Sequence, residues 1–270
     1  MSILNGDQYI ASAKQLVPYK KTTSIATVAQ AMFSLLDVAG LPSAGSLAVG
    51  NTANGLVPTD ATAGFPVINA FGGGAKGYLT RIAFGSSVAC RFQLWDRLFH
   101  VGSISLTALA TTTLSSQPSY VGRLPNSDYK NLFIFLEINT AVSATATTVT
   151  VTYTNQDGTT GRSTGSSGTL ASFTNKRVFM LPLQAGDSGV QKIESVIVGG
   201  TVATTGTVNV MVARLLASSL RVMFAGMGDV LGLDRTGMPE IYADSALWLT
   251  VETDSTASGV PDLMIEVANG

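Results

Sequence analysis

Asp, Glu, Lys and Arg make up 12 % of this 270-residue chain, about half the roughly 25 % usual in soluble domains. With one cysteine, Cys90, and one histidine, His100, the sequence allows neither an internal disulfide framework nor a Cys/His zinc cluster. Production in a reducing cytoplasm fits that pattern. Basic blocks are missing too: the net charge is −1, and the nearest approach to a basic run is the pair Lys20 and Lys21. Direct nucleic-acid contact therefore has little electrostatic support. No stretch reads as a membrane span. Ser195 to Ala213 is uncharged, but Gly199, Gly200, Gly206, Asn209 and several threonines interrupt it, so it reads as two strands and a turn. The segment from Met1 to Lys14 lacks the basic start and apolar stretch of a secretory signal.

What remains is a chain that is 46 % hydrophobic, with Ser, Thr, Gly and Asn supplying most of the rest. A surface built from such residues carries long neutral stretches that tolerate contact with other protein. That is the composition expected of a subunit in an assembly. A chain of this length can bury roughly 70 to 75 % of its unfolded surface, so a core needs no covalent support.

Near the N-terminus, Ile25, Val28, Ala29, Met32, Leu35, Leu36 and Ala39 recur at the 3.6-residue period after Thr22, Thr23 and Ser24. This spacing predicts a helix from Ile25 to Val38, stopped by Gly40 and Pro42. Its other face is neutral, with Asp37 the one charge between Lys21 and Asp60. Such a helix needs a partner surface, and Ile25, Val28, Met32, Leu35 and Leu36 are its expected subunit interface. Leu41 to Ala75 has one charge, Asp60, and reads as an extended arm lying over other protein. We therefore expect residues 1–60 to form a helical and extended arm and residues 61–270 a β domain. Removing the first sixty residues should then leave the β domain folded but unable to join its assembly.

From Gly77 onward the period changes to two. Val149, Val151 and Tyr153 alternate with threonines, and Asp157-Gly158 follows as a turn signal. Leu132 to Ile138, Arg177 to Leu183, Ile193 to Val198, Val208 to Ala213, Leu247 to Thr253 and Leu263 to Val267 read the same way. In the last two runs, Leu247, Leu249 and Val251 can oppose Leu263, Ile265 and Val267, as a hairpin or as two facing strands. Cys90 to His100 fits a strand or one short helix, and the alternation of Tyr78 to Phe84 upstream favours a strand. The expected fold is mainly β, an antiparallel β-sandwich and most simply a jelly roll of about eight strands.

Chemistry-bearing patterns are sparse. Cys90 and His100 lie ten residues apart among Phe92, Leu94, Trp95 and Phe99, where a packed thiol and imidazole are expected before a nucleophile and base. No Gly-x-Ser-x-Gly elbow occurs. In Phe71-Gly72-Gly73-Gly74-Ala75-Lys76-Gly77 the lysine is followed by glycine, where a phosphate cradle needs Ser or Thr. Gly226-Met227-Gly228 reads as a loop. Asp229, Asp234, Glu240 and Asp244 cluster in a glycine-rich stretch without calcium-loop spacing. Trp95 and Trp248 could stack on a sugar, yet both sit in strand runs where packing is the default. No cofactor, metal or catalytic residue is nominated, and the chain is not expected to be an enzyme.

Several phrases resemble structural proteins of tailed-bacteriophage particles: Leu94-Trp95-Asp96-Arg97-Leu98-Phe99-His100, Val151 to Gly158, Leu181 to Val190, and Tyr242-Ala243-Asp244-Ser245-Ala246-Leu247 onward. The resemblance covers most of residues 77–270. It implies a β-rich, jelly-roll-like subunit of the virion, made in the host bacterial cytoplasm. A capsid decoration, or cement, protein or a minor head protein is the leading expectation, with partners that are copies of itself, trimers favoured, and the major capsid protein. A neck, tail or fibre-attachment protein, or a carbohydrate- or receptor-binding virion module, is the alternative.

Overall fold

The computed structural model describes residues 3, 5–48, 53–73 and 75–270. Its strands, in chain order, are β1 (Ala13–Lys21), β2 (Met32–Ser34), β3 (Gly40–Leu41), β4 (Gly77–Ser86), β5 (Cys90–Ser105), β6 (Thr111–Thr113), β7 (Leu132–Thr140) and β8 (Thr147–Asn155). They continue with β9 (Arg162–Ser163), β10 (Arg177–Leu181), β11 (Val190–Gly200), β12 (Thr207–Val222), β13 (Gly228–Leu231), β14 (Glu240–Ile241), β15 (Leu247–Thr253) and β16 (Pro261–Asn269). Two short helices, α1 (Gly6–Ala11) and α2 (Leu233–Thr236), accompany them.

Four antiparallel pairs are nested in the chain: β1 with β16, β2 with β15, β4 with β13, and β5 with β12. Rolled up, these eight strands form two sheets, ordered β13-β4-β16-β1 and β2-β15-β5-β12. That order is a jelly roll: a long hairpin folded over so that its outermost and innermost pairs alternate between layers. The core between the layers takes Val17, Tyr19, Phe33, Leu79, Ile82, Phe92, Leu94, Leu249, Val251, Leu263 and Ile265. Leu247, Leu249 and Val251 therefore do meet Leu263, Ile265 and Val267, as facing strands of two sheets and not as a hairpin. Cys90 to His100 is strand throughout.

The innermost pair is long, sixteen residues in each of β5 and β12, and residues 106–206 are inserted between them as a second lobe. Here β7 and β10 join the second sheet and close it into a barrel, β10-β2-β15-β5-β12-β7. A further sheet, β6-β11-β8-β9, packs on this lobe. The period-two pattern accounts for the layering. In β7, Leu132, Ile134, Leu136 and Ile138 belong to the core shared with Val149, Val151, Tyr153, Ile193 and Val196. The alternate residue Phe135 belongs instead to a cluster with Trp95, Met211 and Trp248. The Asp157-Gly158 turn follows β8 as expected, with Gly158 at φ 83° and its N–H donating to Asn155 O at 3.1 Å.

The N-terminal expectation is overturned. Ile25 to Val38 contains no helix: Gln30 has φ 60°, and the Thr27 and Gln30 amides donate to Thr256 O and Thr253 O at 2.9 and 2.8 Å. Met32 to Ser34 is strand β2, paired with β15 and β10. Its apolar residues satisfy two cores at once, since Phe33 and Leu35 enter the jelly-roll core while Leu36 enters the barrel. Pairing and burial outweigh a helical period that β-branched Thr22, Thr23, Ile25, Thr27 and Val28 support poorly.

Residues 1–60 are therefore not an arm beside a domain beginning at 61. Strands β1 and β2 are two of the eight jelly-roll strands, so deletion of residues 1–60 removes part of the sandwich. The described residues from Leu41 to Ala75 lie over their own chain. The Leu56 and His100 backbones exchange hydrogen bonds of 2.8 and 2.9 Å, Leu47 O accepts from Asn209 Nδ2, and Pro58 O accepts from Arg123. Buried donors of the barrel need acceptors, and the backbone of this segment supplies them.

Candidate assembly surface

The five expected interface residues do not share a face. Leu35 and Leu36 are fully buried, Ile25 and Met32 pack partly against separate clusters, and Val28 is exposed. The first four are occupied within their own chain.

The other sequence candidates are also accounted for. Cys90 is buried near one end of β5, and burial pushes its thiol up to about 11. His100 is fully buried on the same strand, about 30 Å away at the usual strand rise, and loss of solvation, then the Arg97 charge, holds its pKa well below the usual imidazole value. A nucleophile and its base need hydrogen-bond reach. Trp95 and Trp248 are packed in the barrel, donating to Thr250 Oγ1 at 3.2 Å and Ser34 Oγ at 2.9 Å. Glu240 accepts from Lys76 and from Tyr242 at 2.9 Å, while Asp229 contacts the Val230 amide at 2.7 Å on the edge strand. Gly74 lies outside the described residues. A Cβ at Gly77 would stand 2.7 Å from the Ile241 carbonyl oxygen, so glycine lets β4 and β14 approach there. Among the described residues no three His, Cys, Asp or Glu side chains are grouped to hold a metal, and no helix is long and apolar enough to cross a membrane.

A buried ionic cluster is gathered on β5 and the strands beside it. Asp96 accepts from Arg123 Nη2 at 2.8 Å, Arg214 Nη2 at 3.4 Å, Ser245 Oγ at 3.0 Å and the Ala246 amide at 3.1 Å. Beside it, Arg97 donates to Glu137 at 3.2 Å and lies 4.4 Å from the Trp248 ring centre. Asn209 Nδ2 donates to the other Glu137 oxygen at 3.3 Å. Residue 102 is glycine under the Asn209 amide: a Cβ would stand 2.1 Å from Asn209 Oδ1 and displace this side chain. Each carboxylate is held by arginine and closed off from solvent, so the cluster ties β5, β7, β12 and the β14–β15 connection together. These partners are scattered from Asp96 to Ser245, and no spacing rule brings them together.

The outer face of sheet β13-β4-β16-β1-β3 is the unusual surface. Cross-strand neighbours Val230, Ala83, Met264 and Pro18 form a row over four strands. Val230 is 41 % exposed and Met264 38 %. The next row is Gly228, Gly85, Asp262, Lys20 and Leu41. Its two glycines floor a shallow trough bordered by Met227, Val230 and Met264. Asp262 and Lys20 pair across the strands at 3.0 Å, and Asp229 also lines the trough. The loop from Met223 to Met227 adds Met223, Phe224 and Met227, with Phe224 66 % exposed. At the far end α1 covers the sheet, the Tyr9 hydroxyl donating to Glu266 at 2.7 Å. The sequence does hold a trace of this face. Leu263-Met264-Ile265 is apolar on both strand faces, the pattern of a strand covered on both sides, and Met223-Phe224-Ala225-Gly226-Met227 is a loop without charge.

No family model matches the chain, and no curated protein matches it. Solved structures similar to it include the VP2 subviral particle of infectious bursal disease virus, at 10 % identity over 96 % of this chain and 80 % of that one, with a TM-score of 0.23. The structure of the Gx strain of the same virus is similar at 9 % identity over 96 % and 80 % of the two chains, with a TM-score of 0.19. Overlaps this slight carry no argument. The fold rests on the strand order, and the chain is a mainly β protein of antiparallel sheets.

Proposed function

We propose that this chain is a noncatalytic structural subunit of a bacteriophage particle, a capsid decoration or minor head protein that binds copies of itself and neighbouring shell proteins through neutral surfaces. The observation that carries the reading is the outer sheet face: its Val230-Ala83-Met264-Pro18 row is apolar, where a free monomer places charge. The jelly-roll order supports it, since shells are among the structures built from that fold, though fold alone assigns no function. The low charge content supports it as well. Neutral contacts repeated around a symmetric assembly add up to strong attachment without the desolvation cost of buried charge. Assembly in the reducing host cytoplasm fits a free, buried Cys90.

The test is quantitative mass spectrometry of particles purified on density gradients from infected cultures that make this chain. The expected result is the chain in a fixed copy number per particle; its absence from purified particles contradicts the reading.

A further inference from the structure

We infer that two copies of this chain pair face to face through the outer surface of sheet β13-β4-β16-β1-β3, each copy presenting its Met223–Met227 loop to the glycine-floored trough of the other. The inference rests on the structural-subunit reading and names the surface and the partner.

Three observations point to a second copy as the occupant. The first is size. Strands β13, β4, β16, β1 and β3 contribute 4, 10, 9, 9 and 2 residues, which at about 4.8 Å spacing and about 3.4 Å rise make a face of roughly 550 Å², part of it under α1. Two such faces cover on the order of 1,000 Å², at the low end of specific protein interfaces. A small ligand would fill a fraction of it.

The second is charge. Asp262 and Lys20 are exposed and already paired at 3.0 Å, and Asp229 adds one further carboxylate to the trough lining. The apolar row itself carries no charge. Across a two-fold axis each Lys20 can also serve the other copy's Asp262 or Asp229.

The third is shape. A two-fold interface must carry a projection and its recess on the same patch. Gly85 and Gly228 lack side chains in adjacent strands and leave a trough, while Phe224 and Met227 sit on the loop bordering it. Phe224 keeps two thirds of its surface uncovered by its own chain. A large exposed aromatic of this kind is the usual anchor of an interface. Packed sheets lie about 10 Å apart, close enough for Met264 and Val230 to interdigitate with their counterparts.

The test is sedimentation velocity on the full chain and on Met264→Lys, Val230→Lys and Phe224→Ser, up to about 100 μM. Leu109→Lys, at an exposed position on the inserted lobe, is the control. Thermal unfolding of each variant confirms that it folds, which substitutions at exposed positions should permit. The expected result is association of the native chain and of the control, with each sheet-face variant weakened at least about 10-fold, a step of about 1.4 kcal/mol. Association that survives all three variants unchanged overturns the pairing while leaving the subunit reading intact. A native chain that stays monomeric also overturns the pairing; the subunit reading then stands or falls separately on its presence in purified particles.

Discussion

Arg97 and Glu137 meet 3.2 Å apart inside the barrel, with 1 % and 0 % of their side chains exposed. Burial lowers the Arg97 pKa and the Glu137 charge raises it again, so each charge depends on the other for its presence there. Glu137→Ala should therefore lose about 3–5 kcal/mol of stability, because a guanidinium is left buried without its carboxylate. The double variant Arg97→Met with Glu137→Leu should recover most of that loss. Urea unfolding of the two proteins checks both expectations.

The inserted lobe contains a second charge-dependent contact. Asp187 accepts from Arg162 Nε at 2.8 Å, from Asn155 Nδ2 at 2.8 Å and from the Tyr153 hydroxyl at 2.8 Å. The Arg162 bond is the main cause that brings its carboxyl from 3.8 down to about 2. A carboxyl depressed in the folded state contributes stability that is complete above its unfolded pKa and is lost as pH falls through the folded one. Stability should thus fall between about pH 4 and pH 2, and Asp187→Asn should flatten that part of the profile. At pH 7 the same substitution should cost about 1.5–3 kcal/mol, the worth of hydrogen bonds to a charged group. Denaturant midpoints measured across this pH range decide the matter.

Strand β1 pairs along eight residues with β16, and β2 lies between β15 and β10. Deleting residues 1–60 should consequently abolish the cooperative fold, while deletion of residues 1–11, which spares β1, should preserve it. Near-ultraviolet circular dichroism and a thermal melt distinguish the two truncations.

Much of the fold was legible because strands announce themselves by period two. Leu247 to Thr253 reads as a strand and is one with those limits, and the Thr-Val alternation of β8 maps onto a wet and a dry face. The N-terminal segment misled because Leu35 and Leu36 enter different cores, so adjacent apolar residues imitate a helical stripe while serving two sides of a strand end. The register that makes β1 and β16 neighbours spans nearly the whole chain, and local pattern carries no such information. The ionic cluster around Asp96 was hidden for the same reason. The exposed row through Met264 was visible only as a strand apolar on both faces, which the sequence cannot divide between core and partner.

The most direct test of the central claim, that this chain's neutral exterior is built to meet other copies, is its mass in solution by light scattering after size exclusion, followed over rising concentration. The account predicts a mass that climbs from the 27.9 kDa of one chain to a defined multiple of it. A mass that stays at the single-chain value up to about 100 μM would contradict it.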